Sequence, residues 1–219
     1  MMTTPAIQIG DCEVQILGVV KGLESEVGNV RHAFDTVEPD KMAVSLSKEE
    51  LEGLRNIPED FEPEPTRYEE IYSKRLSKFG EVVMPPPCYV ATVELADHFR
   101  VPLVPVDMDE DSFSELYCKV VPASALMRHS TRLWLLNNYR FTARTPQEFA
   151  VQWDKRVNNM RAFRTIEEKR TETMADGITR ACNGSRRLLA IIEYERSQEV
   201  GEILKNRLPA DARKMIKEK

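Results

Sequence analysis

Apolar and polar positions along the chain fall into blocks of two periods, one of strands and one of helices. Residues 6–9 and 12–20 are apolar stretches parted by the Gly10-Asp11 turn pair, which predicts strand, tight turn, strand. The second stretch becomes continuously apolar, as a strand buried on both faces does, so it is expected at the centre of a sheet. Val27, Val30, Phe34 and Val37 then recur at helical spacing, with Ser25 as the candidate N-cap and Pro39 beyond the end. Residues 42–46 predict a short strand, and Ser47 with Glu50 three positions later forms a capping box that opens a helix to about Arg55.

Residues 56–66 are acidic, rich in proline and without period, which predicts a surface loop or insertion. Residues 56–88 as a whole read as a loop-rich insertion. Within it Thr66 and Glu69 form a second capping box, for a short polar helix carrying Ile71, Arg75 and Lys78. Pro85, Pro86 and Pro87 are expected to stop the chain before an amphipathic helix over 89–99. Residues 101–106 contain two prolines and so predict an edge strand. An acidic turn at 107–111 leads into a helix with Phe113, Leu116, Tyr117 and Val120 on its apolar side.

The second half is mostly helical. A helix is expected over 126–141, and Thr145, Pro146 and Glu148 supply a cap, a first-turn proline and an acid for the next. Phe149, Trp153, Met160, Phe163, Ile166, Met174 and Ile178 continue at roughly helical spacing, implying one long helix or two joined ones up to Asn183-Gly184. Residues 188–192 predict the last strand, Ser197 a cap for a short helix with Val200, Ile203 and Leu204, and 209–219 a polar tail. The expected fold is one α/β domain over 1–219, a mixed, mostly parallel sheet flanked by helices, with a helix-rich C-terminal half.

Composition refines this picture in two ways. The net charge of −5 hides a split: residues 1–118 carry 10 Lys/Arg against 24 Asp/Glu, and residues 119–219 carry 21 against 12. Such asymmetry suits an anionic partner for the basic half, or two copies packing acidic to basic, so a homo-oligomer is expected. A protein partner is compatible with this split. Nucleic acid is not the expected partner, because the aromatics of the basic half fall at core spacings. No apolar run is long enough for a membrane span, and residues 1–10 lack a basic stretch followed by an apolar block, so a cytoplasmic protein is expected. Cys12, Cys88, Cys118 and Cys182 show no metal or redox spacing and read as buried thiols.

Three stretches resemble the TraB/PrgY pheromone-shutdown family. Residues 14–27 with 37–51 are similar to its N-terminal block, in which a strand ends in a Gly-x-x-His turn and a helix and an acid-tipped strand follow. Residues 91–107 are similar to its middle block, a helix and a strand ending in Asp. Residues 168–178 with 187–193 are similar to its closing block, a helix and a strand leading to a second Gly-x-x-His. The resemblance implies a divalent-metal site made by His and Glu at the strand ends. Here Lys21 stands at the first His, Ser45 at the acid, and Glu193, Tyr194, Glu195 and Arg196 near the second turn. A charged ammonium has no lone pair to offer a metal and repels it. The resemblance therefore implies a non-catalytic relative.

Two residue sets follow as candidate sites. Lys21, Ser45, Arg170, Glu193 and Glu195 would converge at the strand ends as a remnant pocket, either an ion-pair network in place of the metal or an anion-binding pocket. Asp107, Asp109 and Asp111 could hold Mg²⁺ or Ca²⁺ after a strand end, or simply cap the next helix; Ser112 and Cys118 break the calcium-loop pattern. His32, His98 and His129 give no ligand set, and no nucleophile or phosphate-loop motif is present. The expected function is a binding or scaffold module without cofactor that self-associates. The rivals are a metal-dependent hydrolase using Asp107, Asp109 and Glu193, and a binder of anionic ligands or nucleic acid through the basic half.

Overall fold

The computed structural model describes residues 6–58 and 64–208. Five strands form one sheet in the order β1-β2-β5-β3-β4: β1 (Ile7–Ile9), β2 (Cys12–Val19), β3 (Lys41–Val44), β4 (Leu103–Pro105) and β5 (Arg187–Glu193). Only β1 runs antiparallel, folded back on β2 through Gly10 in the left-handed region; β2, β5, β3 and β4 are parallel. The last strand in sequence is thus central in space. From Leu188 to Ile192 every residue of β5 is fully buried, which only an inner strand covered on both faces permits.

Side chains alternate between two cores with the period of the pleat. Leu17, Val19, Leu189 and Ile191 point to one face, where α1 (Glu26–Val37) and α4 (Pro87–Phe99) cover them. Val14, Ile16, Leu188, Ala190 and Ile192 point to the other, beneath α8 (Arg161–Ala181) and α9 (Tyr194–Arg207). Asp40, which leads into β3, accepts from Ser185 Oγ and from the Arg186 amide at 2.8 Å, and so ties the start of β5 to β3.

A third cluster lies beyond the carboxyl ends of the strands. There α3 (Arg67–Leu76), α6 (Ala123–Leu136) and α7 (Pro146–Val157) bury Ile71, Leu136, Phe149 and Trp153 against Val20 and Leu23. The stretch expected to be a loop-rich insertion therefore supplies a roof, with its Thr66 capping box formed in both directions; residues 59–63 lie outside the described residues. The Ser47 box of α2 (Lys48–Arg55) forms likewise, and Asp109 caps α5 (Glu110–Val120).

Local chemistry explains where the helices depart from expectation. Ser25 does not cap α1, because the amides of Glu26 and Val27 are already bonded to the Leu23 and Glu24 carbonyls in a tight turn. Pro87 opens α4 instead of stopping the chain, since a first helical residue needs no N–H partner. The long apolar repeat of the second half forms two helices, α7 and α8, one of the two arrangements expected. The helix expected from Ser197 begins three residues earlier at Tyr194, directly after β5, and the Ser197 hydroxyl donates to the Tyr194 carbonyl at 2.8 Å. The helix expected over 126–141 lies at Ala123–Leu136.

Gly177 lets α8 approach the end of β4: a Cβ there would stand 2.8 Å from the Val106 Cβ and 3.1 Å from its Cα. Gly177→Ala is expected to lower stability by about 1–2 kcal/mol through overpacking. A urea midpoint equal to that of the parent would show that α8 can shift freely.

Candidate functional site at the strand ends

Lys21, Ser45, Asp107 and Glu193 all follow or end parallel strands at the same edge of the sheet. After β2 the chain passes to α1 on one face, and after β5 to α9 on the other. Two neighbouring parallel strands diverge in this way where open α/β sheets form their ligand crevice. The residues selected from sequence meet there. Lys21 Nζ donates to Glu193 Oε1 at 2.7 Å, and Arg170 Nη2 reaches the same oxygen at 3.4 Å. The Glu193 amide donates to Ser45 Oγ at 3.2 Å, and Ser45 shares a 2.9 Å hydrogen bond with the Tyr89 hydroxyl.

The network extends past the expected set. Arg170 grips both oxygens of Asp107, its Nε at 3.2 Å, and its Nη1 holds Glu167 at 2.9 Å. Arg196 binds Glu167 at 2.7 Å and also Asp154. Three cations, Lys21, Arg170 and Arg196, thus face four carboxylates, Glu193, Asp107, Glu167 and Asp154. Burial opposes the charge on Lys21, but Glu193, Tyr89 and Glu195 outweigh it and hold the ammonium well above its ordinary range. Burial likewise opposes Arg170, and Glu193, Asp107 and Glu167 keep it charged. Burial pushes the Asp107 carboxyl up while Arg170 pulls it back, and the two-oxygen grip of the guanidinium suits the ionised form.

Glu193 and Glu195 are driven apart. Burial raises Glu193, but Lys21 and Arg170 together bring its carboxyl down to about 2. Glu195 lacks such compensation: burial first and the Glu193 charge second push it up to about 7, with Lys21 offsetting only part. The carboxylates already outnumber the cations, so ionising Glu195 adds uncompensated negative charge.

Above these groups lies a pocket of about 220 Å³ lined by Lys21, Glu195, Tyr68, Tyr72, Trp153 and Met84, among others. Tyr68 and Tyr72 are four apart on α3 and so share a face, and Trp153 Nε1 donates to the Tyr68 hydroxyl at 2.6 Å. Burial raises both tyrosine hydroxyls, Tyr72 more strongly, so each remains a neutral donor. A groove of about 560 Å³ between α1 and α7 is larger but lacks this convergence; its buried carboxylate, Glu26, accepts from Asn29 at 2.9 Å.

The acidic turn does not act as a unit. Asp107 turns inward to Arg170, Asp109 accepts from the Ser112 amide at 2.8 Å as a helix cap, and Asp111 is exposed on the first turn of α5. Of the two readings of this turn, the helix cap is the one that Asp109 forms, and the three carboxylates point to different partners. Among the described residues no group of three His, Cys, Asp or Glu side chains is placed to hold a metal. At the strand ends one Glu193 oxygen is shared by Lys21 and Arg170, and both Asp107 oxygens are held by Arg170.

Sequence reasoning missed Tyr68, Tyr72, Asp154 and Glu167, and read Trp153 only as core. The Tyr68–Tyr72 spacing on a capped helix was the available signal for an aromatic face. Nothing in the sequence joined Asp154 and Glu167 to Arg196. Comparison of the sequence with known protein families and with curated proteins returns no match.

Proposed function

We propose that this chain is a TraB/PrgY-like domain that binds a small molecule without turning it over, in the pocket above Lys21 and Glu195. One observation carries the reading. The three places where the sequence departs from that family, Lys21, Ser45 and the turn at Glu193, are far apart in sequence, yet Lys21 and Ser45 both hydrogen-bond to Glu193. On this reading the Lys21 ammonium and the Arg170 guanidinium take the place of the metal that the resemblance implies. The aromatic walls favour a flat or apolar body, and Lys21 and the protonated Glu195 offer donors to one polar or anionic group.

Titration with benzoate, indole and benzamidine tests this with anionic, neutral and cationic probes of one size. Benzoate is expected to bind best and to change Trp153 emission, and Lys21→Met to remove its advantage over indole. Preferred binding of benzamidine, or no binding of any probe by ligand-observed NMR, would overturn the reading. A second reading, acid–base chemistry by Glu195, is favoured by its carboxyl standing at about 7, where a group can both hold and release a proton near neutral pH.

A further inference from the structure

We propose that α6 and the groove beside it dock on the surface of a membrane containing anionic phospholipid. The helix is apolar on two sides. Ala125 and Leu136 face the protein and are buried, while on the outer side Met127 is 75% exposed, Trp134 59% and Leu135 50%. Positions 127, 131, 134 and 135 fall on one arc of a 3.6-residue helix, so these three side chains form a single stripe. An apolar stripe ending in Trp beside arginines is the composition of a helix that lies in the plane of a bilayer interface.

Charge identifies the kind of surface. Residues 116–147 contain Lys119, Arg128, Arg132, Arg140 and Arg144 and no Asp or Glu, in a chain whose net charge is −5. None of these five makes an ion pair among the described residues, whereas Lys21, Arg170 and Arg196 on the strand-end side are all paired. Arg128 turns back on its own helix, Nε donating to the Ser124 carbonyl at 3.1 Å. Next to α6 a groove of about 570 Å³ is lined by Arg128 and Arg161 together with the apolar Val120, Pro122, Ala125 and Met160. Two arginines and an apolar lining in one groove match the chemistry of a phosphodiester with the start of an acyl chain.

Other occupants fit less well. A symmetric second copy would bring the arginines of one α6 against those of the other. Nucleic acid would use the arginines, but gains nothing from exposed Met127 and Leu135. Among the described residues no helix is long and apolar enough to cross a membrane, so the contact is with the surface.

The full chain should sediment with vesicles of equal parts phosphatidylcholine and phosphatidylglycerol and stay in solution with phosphatidylcholine alone. Of the two tryptophans Trp153 is buried, so a blue shift of emission on vesicle addition reports Trp134 entering the interface. Trp134→Ser with Leu135→Ser, both at exposed positions, should abolish retention with an unchanged circular dichroism spectrum. Arg128→Gln with Arg161→Gln should weaken it about tenfold or more. Equal retention on both vesicles, a concentration-dependent dimer without retention, or preference for oligonucleotides over vesicles would each overturn the proposal. None of these measurements depends on the strand-end pocket, so failure here leaves the proposed ligand site standing.

Discussion

Glu193→Gln is expected to lose about 3 kcal/mol or more of stability, because breaking a buried ion pair from one side strands the opposite charge. The Glu193 side chain is only 4% exposed, and one of its oxygens is shared by Lys21 and Arg170. An amide there leaves both cations facing a neutral group. Arg170 keeps Asp107 and Glu167, and Lys21, whose side chain is 37% exposed, recovers some hydration. These two facts place the effect at the lower end of the range for such pairs. Lys21→Met combined with Glu193→Gln should regain part of the loss, since the stranded ammonium is then gone. Urea unfolding checks this, with midpoints compared at unchanged slope. A single variant as stable as the parent would show that the pair holds nothing in place.

Glu195→Gln is expected to do the reverse, raising stability by about 2 kcal/mol at pH 8, a figure reduced from the full shift because the side chain is partly exposed. In the unfolded chain Glu195 ionises near 4.5, and in the fold at about 7. Between those values the folded state holds the additional proton, so stability falls as pH rises through the window and is level above it. Glu193 acts in the opposite sense. Its folded carboxyl, at about 2, lies below its ordinary 4.5, so its contribution is present above 4.5 and lost as pH falls through about 2. The parent should therefore be less stable at pH 8 than near pH 5, and Glu195→Gln should flatten that decline. Thermal unfolding at both pH values decides: parallel profiles for parent and variant would mean that Glu195 is not held protonated.

Local signals carried most of the fold. The capping residues Ser47, Thr66, Thr145 and Asp109 all accept the amide three residues on, and the apolar runs of β2 and β5 lie on inner strands. Signals failed where a neighbour supplied the missing bond: the turn before α1 made the Ser25 hydroxyl redundant, and a direct passage from β5 into α9 hid that helix's polar first turn. That first turn is the part which matters at the site. It carries Glu195 and Arg196, and no apolar period marks it.

The candidate site was legible in part for a related reason. Lys21, Ser45 and Glu193 sit at strand ends, and strand ends are visible as the places where apolar runs stop. Tyr68 and Tyr72 come from a helix that folds back over the sheet, and Asp154 and Glu167 from two helices meeting at Arg196. Such long-range meetings are set by packing and leave no local pattern. The acidic turn shows the opposite hazard. Three carboxylates within five residues resembled a cation site, yet one was needed inside by Arg170 and another by the helix cap.

Under the proposed reading, Lys21 and Arg170 take the place of a metal at the strand ends, and that exchange is the centre of the account. Equilibrium dialysis of the purified full chain against Mg²⁺, Mn²⁺ and Zn²⁺, for the parent and for Glu193→Gln, measures it most directly. The parent should hold no ion in stoichiometric amount. One tightly bound divalent ion per parent chain, lost in Glu193→Gln, would contradict the account.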